Sequence, residues 1–243
     1  MDKEIKYKEH TIKFYNLLTS GWNMDKFILK GTLFNRPDHN FKKVVRLLKP
    51  NSIVYDIGSY IGTYAIPMSL EGMEVIAFEG FPDNYDRNII NSKPYNITVL
   101  PLAVSNKNET VFTKFNDCTD TPAEPRNIEY IRLDDYIAEH SLKKPDLIKM
   151  DIEGMETVAL HGMTNLLENT RPIWQIGYHP GAWIEGESKH KGYPGFVKIE
   201  DGGFDFNKFT ELEYAVFDES GSRCKEFTSF AEYFCVPKEK YKR

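Results

Sequence analysis

"VYDIGSYIG" occupies Val54 to Gly62. An apolar run ends on Asp56, and a loop with glycines at 58 and 62 follows. In an open α/β sheet, ligands bind beyond the carboxyl ends of the strands. Gly58 lets the chain turn without a Cβ clash, and Gly62 allows close approach at the start of the next helix. The spacing selects among ligands. A dinucleotide wants G-x-G-x-x-G, with bare backbone and a helix N-terminus facing pyrophosphate. Here the pattern is D-x-G-x-x-x-G, and the carboxylate of Asp56 would repel a pyrophosphate.

A cationic ligand with an amino-acid head suits that loop better, which points to S-adenosylmethionine. "EVIAFEG" (Glu74 to Gly80) reads as the second strand, with Glu79 at its tip. An acid at that place is expected to hydrogen-bond both ribose hydroxyls. Glu79 alone fits either cofactor; Glu79 with Asp56 and this glycine spacing favours the sulfonium.

Working outward, short apolar runs alternate with helical stretches. "FKKVVRLLK" sets Phe41, Val44, Val45 and Leu48 on one helical face, and Pro50 and Asn51 end it. After the second strand, Pro82 and Asp83 start a helix over "PDNYDRNIIN". "ITVLPLAVS" (Ile97 to Ser105) reads as one strand, "TVFTKF" as an edge strand, and "IRLDDYIAEH" as strand into helix. "PDLIKMD" buries Leu147, Ile148 and Met150. "EGMETVALHGMTNLL" lines Met155, Val158, Ala159, Gly162, Leu166 and Leu167 along one helix, and "PIWQIGYH" is a further strand. The tail, "TELEYAVFDES" and "FAEYFCVP", has strands with no helix between them, which suggests an antiparallel hairpin. Such alternation predicts a doubly wound α/β fold. The expected sheet is seven-stranded and mainly parallel, with an antiparallel C-terminal strand or hairpin. Residues 181–208 read as a long loop. Residues 1–40 form an extension, expected to be helical through "TIKFYNLLTSGW" and to serve the acceptor side or a dimer contact; residues 41–243 form the main domain.

The 243 residues are 41% hydrophobic with a formal net charge of −5, which argues for one soluble domain and against a general nucleic-acid binder. Cys118, Cys224 and Cys235 form no CxxC pair, so reduced thiols are expected rather than a disulfide framework or zinc ribbon. "MDKEIKYKEH" lacks a signal-peptide core and no run reaches the length of a membrane span, so a cytoplasmic location is expected. The oligomeric state is open, a homodimer being one option.

"VYDIGSYIGTYA", "VIAFEGFPDNYDRNI", "LPLAVSNKNE", "IRLDDYI" and "DLIKMDIEGMETVALHGM" occur in the order, and near the spacing, of the FkbM-like methyltransferases. The resemblance covers roughly residues 41–180. It implies a class I, Rossmann-like methyltransferase fold, S-adenosylmethionine as methyl donor, and an oxygen acceptor, often a hydroxyl of a sugar, glycan or glycosylated small molecule. Carried over, Asp56, Gly58, Ser59, Tyr60, Ile61 and Gly62 line the methionine half of the cofactor. Glu79 binds the ribose, Gly80 and Phe81 flank the adenosine, and Ala103 and Val104 border the adenine. Three departures stand out. Ser59-Tyr60 replaces the family's usual Ala-Asn, Pro67 falls about one turn into the following helix, and the family's E-x-H is here Gly177-Tyr178-His179. Pro67 should end or kink its helix early. The lost glutamate leads to the expectation that no divalent metal is required.

Methyl transfer to a hydroxyl is an in-line displacement that gains from alignment and from a general base. Asp151, at the tip of the fourth strand, is the first candidate, as base or as ligand to the cofactor's ammonium. His179, ending the next strand, is the second, since an unperturbed imidazole titrates near neutrality. Glu156 reads as a cap of the following helix, Glu153 is ambiguous, and His161 and His190 read as bystanders. Trp22, Phe34, Trp183, Tyr193 and Phe196 are candidates to stack on a sugar ring. The alternatives are a methyltransferase of a non-sugar small molecule, a nicotinamide-dependent oxidoreductase, or a non-catalytic binding module.

Overall fold

The computed structural model describes residues 1–19, 24–35, 42–113, 125–179, 206–225, 227 and 231–241; of residues 42, 43 and 113 only the backbone is described. The chain opens with β1 (Lys3–Tyr7), β2 (His10–Phe14), α1 (Asp25–Leu29) and α2 (Lys42–Val45). Next come β3 (Ile53–Ile57), α3 (Ala65–Leu70), β4 (Glu74–Phe78), α4 (Pro82–Ser92), β5 (Ile97–Leu100) and β6 (Leu102–Val104). Then follow β7 (Glu109–Thr113), β8 (Arg126–Ile131), α5 (Leu133–His140), β9 (Leu147–Met150), α6 (Glu156–Leu160) and β10 (Ile173–Tyr178). The chain closes with α7 (Asn207–Glu211), β11 (Tyr214–Phe217), β12 (Arg223–Cys224), β13 (Ala231–Pro237) and α8 (Lys238–Tyr241).

The main sheet has the order β12-β11-β13-β10-β9-β3-β4-β5. The five strands from β10 to β5 are parallel, and β13 lies antiparallel between β10 and β11. That is the expected seven-stranded sheet, extended by the two-residue edge strand β12. β3 and β9 are buried along their whole length, as the continuous apolar runs of central parallel strands require. β3 and β9 are neighbours although far apart in sequence, with β4 and β5 leading away on one side and β10 on the other. This is a topological switch point, where such sheets open a crevice.

Several expectations need correction. Ile97 to Ser105 is not one strand: Pro101 has no N–H to give the ladder, so β5 stays in the main sheet and β6 joins β8 and β7 in a separate three-stranded sheet. β7 is therefore an edge strand of that smaller sheet. The stretch from Glu153 to Leu167 is not one helix either. α6 stops at Leu160, and Gly162 packs so tightly that a Cβ there would lie 2.0 Å from the carbonyl oxygen of Ser105. Pro67 does not end α3, which runs on to Leu70, because it falls in the first turn, where proline is tolerated. The N-terminal segment begins not as a helix but as the β1–β2 hairpin. Ile12 and Phe14 point inward at a spacing of two, with Ile5 opposite, whereas the apolar positions of 12–18 also fit a helical period. The segment shares one apolar cluster with Ile61 and Ile66, so it is built into the main domain.

Candidate active site

The loops after β3 and β9 meet at the switch point. Gly58 has φ +76°, and a Cβ on it would lie 2.1 Å from the carbonyl oxygen of Asp151. Only glycine fits there. The Gly58 and Ser59 amides donate to the Phe78 carbonyl at 3.0 and 3.1 Å, tying the loop to the end of β4. Glu79, buried just beyond that end, accepts the Tyr60 amide at 2.7 Å and the Phe81 amide at 3.0 Å. It thus holds the glycine loop and the start of α4 together. A carboxylate has about four lone-pair positions, so one group can serve backbone amides and ligand hydroxyls together.

The side chains of the loop face away from the sheet ends. Ser59 Oγ accepts from Asn88 Nδ2 at 2.8 Å, Tyr60 donates its hydroxyl to Asp25 at 2.8 Å, and Ile61 is fully buried against the N-terminal segment. What residues 59–62 offer a ligand is therefore backbone. Gly80 packs on Ala103, where a Cβ would come within 2.6 Å of the alanine Cβ, so the two form one wall. Phe81 is half-buried at the head of α4. Val104 lies in the main core, with Ile131 and Leu133 in the same cluster.

Asp56 is wholly buried one residue before the end of β3. Neither of its oxygens meets strict hydrogen-bond geometry among the described residues, although the Ala65 amide and Lys149 lie close enough to lower its pKa. The ammonium it meets is the protein's own: Lys149, its register neighbour on β9, places Nζ 3.7 Å from Asp56 and 3.6 Å from Asp151. Burial pushes the Asp56 carboxyl up from 3.8 to about 6, with Lys149 opposing and Asp151 adding to the rise.

Lys149 is part of a polar row that sequence reading missed. Asp56, Lys149 and Gln175 are register neighbours on β3, β9 and β10. Gln175 accepts from the Tyr64 hydroxyl at 2.7 Å and donates to Glu232 of β13 at 3.1 Å. Lys149 and Gln175 did carry a signal, as polar residues inside runs that are otherwise apolar and buried. Glu232 stands opposite Gly177. A Cβ on Gly177 would lie 3.1 Å from Glu232 Oε1 and 3.1 Å from Asp151 Cγ. A carboxylate thus remains beside position 177, supplied by the neighbouring strand.

His179 sits among acids. Its Nδ1 is 3.0 Å from the Gly177 carbonyl and 3.1 Å from Glu156, and its Nε2 is 3.8 Å from Asp151 and 3.7 Å from Glu153. Burial alone would lower its pKa, but Glu156, Asp151 and Glu153 outweigh that and raise it from 6.5 to about 9. That shift favours the protonated ring near neutral pH, a state that holds a proton rather than taking one. Of the two base candidates, Asp151 is then the group with free acceptor capacity, partly exposed between two cations. Glu156 accepts the amides of Ile152 and Gly154 at 3.1 Å each, so these bonds tie down the turn before α6 rather than cap the helix as expected. Asp151, Glu156 and His179 also bring one donor atom each within 4.8 Å of one another, a set that could hold a divalent cation.

Other candidates scatter. Phe34 packs edge-on against Tyr7, and His161 is exposed after α6. Trp22, Phe41, Cys118, Trp183, His190, Tyr193 and Phe196 lie outside the described residues. Cys224 and Cys235 are free thiols. No helix among the described residues is long and apolar enough to cross a membrane.

Residues 56–215 match the model of the methyltransferase FkbM domain. Hexuronic acid methyltransferase AglP of Haloferax volcanii is 33% identical over 138 residues, which cover 52% of this chain and 57% of the relative. The chain thus spans little more than half the length of that curated relative. A crystal structure of methyltransferase FkbM from Methylobacillus flagellatus KT aligns with a TM-score of 0.51, covering 88% of this chain and 54% of that one. At 18% identity it supports the fold alone, and with the strand order it identifies the class I methyltransferase fold.

Proposed function

Because this chain belongs to the FkbM methyltransferase family, we propose that it is an S-adenosylmethionine-dependent O-methyltransferase acting on a hydroxyl of a sugar or glycosylated molecule. The observation that carries the cofactor reading is the pair of carboxylates at the switch point. Glu79 follows β4 on one side of the glycine loop, and Asp151 follows β9 on the other. Between them the loop presents backbone, with no side chain from residues 59–61 in the way. That donor set suits a ligand with a diol at one end and cationic groups at the other. When bound, S-adenosylmethionine supplies an activated methyl group.

The protein's part is alignment and proton handling. Asp151 can accept the hydroxyl proton as the oxygen becomes acidic on methylation, so a weak base suffices. Lys149 and His179 hold the Asp151 carboxylate from two sides. The sugar acceptor is supported by the activity in AglP's name. A second reading, ester formation on a uronate carboxylate, is favoured by the imidazolium of His179, which could pair with such a group.

Both readings are tested by incubating the full chain with S-adenosylmethionine and a panel of neutral glycosides and hexuronides. Mass spectrometry should show one added methyl group that survives mild alkali, as an ether does. An alkali-labile product would select the ester. No methylated product from the whole panel would count against a sugar acceptor.

A further inference from the structure

We propose that the N-terminal segment is a clamp on the cofactor loop, with Asp25 and Tyr60 as its positioning residues; this rests on the reading of that loop as the S-adenosylmethionine site. Tyr60 has φ +52°, a conformation that a bulky L-residue adopts only when its surroundings enforce it. Three contacts enforce it here. Its amide is bound by Glu79, its hydroxyl by Asp25, and its ring lies 5.4 Å from the Arg87 guanidinium. Asp25, the first residue of α1, is wholly buried. It also accepts the Leu18 amide at 2.6 Å and forms an ion pair with Arg87 of α4.

The rest of the loop is held in the same way. α4 buries a polar face of Asn84, Arg87, Asn88, Asn91 and Ser92, an unusual choice for a helix packed on a domain. Asn88 reaches Ser59, and Asn91 donates to the Ile61 carbonyl at 2.9 Å while accepting the Tyr15 amide at 2.9 Å. Ile61 completes the apolar cluster of Ile12, Phe14 and Ile28. Each of residues 59 to 61 is therefore fixed by the N-terminal segment or by a helix bridged to it. The same contacts account for Ser59-Tyr60: the serine and tyrosine supply the oxygens that Asn88 and Asp25 bind.

The backbone that faces the ligand is thus set by residues 5–18 and 25–28, and loosening the clamp lowers the fraction of loops ready to bind. Tyr60→Phe is the mild variant, because it removes one hydroxyl and leaves the Asp25–Arg87 pair in place. Asp25→Asn is the stronger one. In calorimetric titrations of the full chain, well below its melting temperature, S-adenosylmethionine should bind Tyr60→Phe on the order of tenfold more weakly than wild type, and Asp25→Asn more weakly still. In turnover with a competent acceptor, the loss should appear chiefly in KM for S-adenosylmethionine. Residues that only support the fold would lower the melting temperature and leave the dissociation constant alone, so constants within twofold of wild type in both variants overturn the proposal. If wild type itself fails to bind, the cofactor reading falls and the clamp with it.

Discussion

Asp56→Asn should make the ligand-free protein more stable at neutral pH, although it alters a residue of the site. Buried Asp56 has its carboxyl raised from 3.8 to about 6. Unfolded, it loses its proton near the lower value, and folded, near the higher. Between them the folded state holds the extra proton, so its contribution is full below about pH 4 and lost as pH rises to about 6. At about 1.4 kcal/mol per unit, ionised Asp56 costs the folded state about 3 kcal/mol at neutral pH. Asparagine carries no charge and escapes that loss. Part of the gain is given back, because Lys149 loses its ion pair with Asp56. The expected net gain is about 1–2 kcal/mol, or a melting temperature roughly 3–6 °C higher for a chain of this size. Scanning calorimetry of wild type and variant, from about pH 4 to about pH 8, should show the gap opening between about pH 4 and 6 and then holding. A variant less stable than wild type at neutral pH, or a gap that ignores pH, refutes the assignment of Asp56 as a buried carboxylate whose burial outweighs its pairing with Lys149. A stability gain at a functional position is the usual mark of strain kept for function.

The other predictions follow from the same geometry. His179 is raised from 6.5 to about 9, so its contribution is full below the lower value and lost by the higher. In the presence of a chelator, His179→Gln should cost up to about 3 kcal/mol near about pH 6 and little near about pH 10; a pH-independent cost would contradict the imidazolium. Gly58→Ala should cost more than about 3 kcal/mol, because its Cβ would meet the Asp151 carbonyl oxygen. Gly72→Ala, at φ +84° but with open space around it, should cost only about 1 kcal/mol by denaturant melts; equal costs would show that conformation, not contact, dominates at Gly58. Glu79→Gln turns a donor toward one of two backbone amides, so it should destabilise by about 1–3 kcal/mol and weaken S-adenosylmethionine binding in calorimetry. Unchanged binding would remove Glu79 from the site.

The central sheet was legible because its strands are buried on both faces and read as unbroken apolar runs. "SIVYDIG", "EVIAFEG", "PDLIKMD" and "PIWQIGYH" all became main-sheet strands. The C-terminal antiparallel pair was legible from the missing helix between its strands. What failed was local ambiguity. Residues 12–18 fit two periods, and only burial of Ile12 and Phe14 on one side of a hairpin decides for strand. Pro101 marks the break in "ITVLPLAVS", whose apolar run otherwise continues across it. In the candidate site, Glu79 and Asp151 stand out because each directly follows a strand, and the glycines because they fall in the loop after one. Lys149 and Gln175 show only as polar residues inside apolar runs, and their row with Glu232 exists only once β9, β10 and β13 are aligned. Tyr60 looked like an oddity in a cofactor loop until Asp25, remote in sequence, supplied its partner. His179 was placed correctly among the strand ends, but its charge state depends on three acids that only the fold brings around it.

The most direct test of the account is a calorimetric titration of the ligand-free full chain with S-adenosylmethionine, with NAD as the comparison. Saturable one-to-one binding of S-adenosylmethionine in the micromolar range, with no saturable heat from NAD, is the predicted result. Absence of S-adenosylmethionine binding up to millimolar concentration, or tighter binding of NAD, would contradict it.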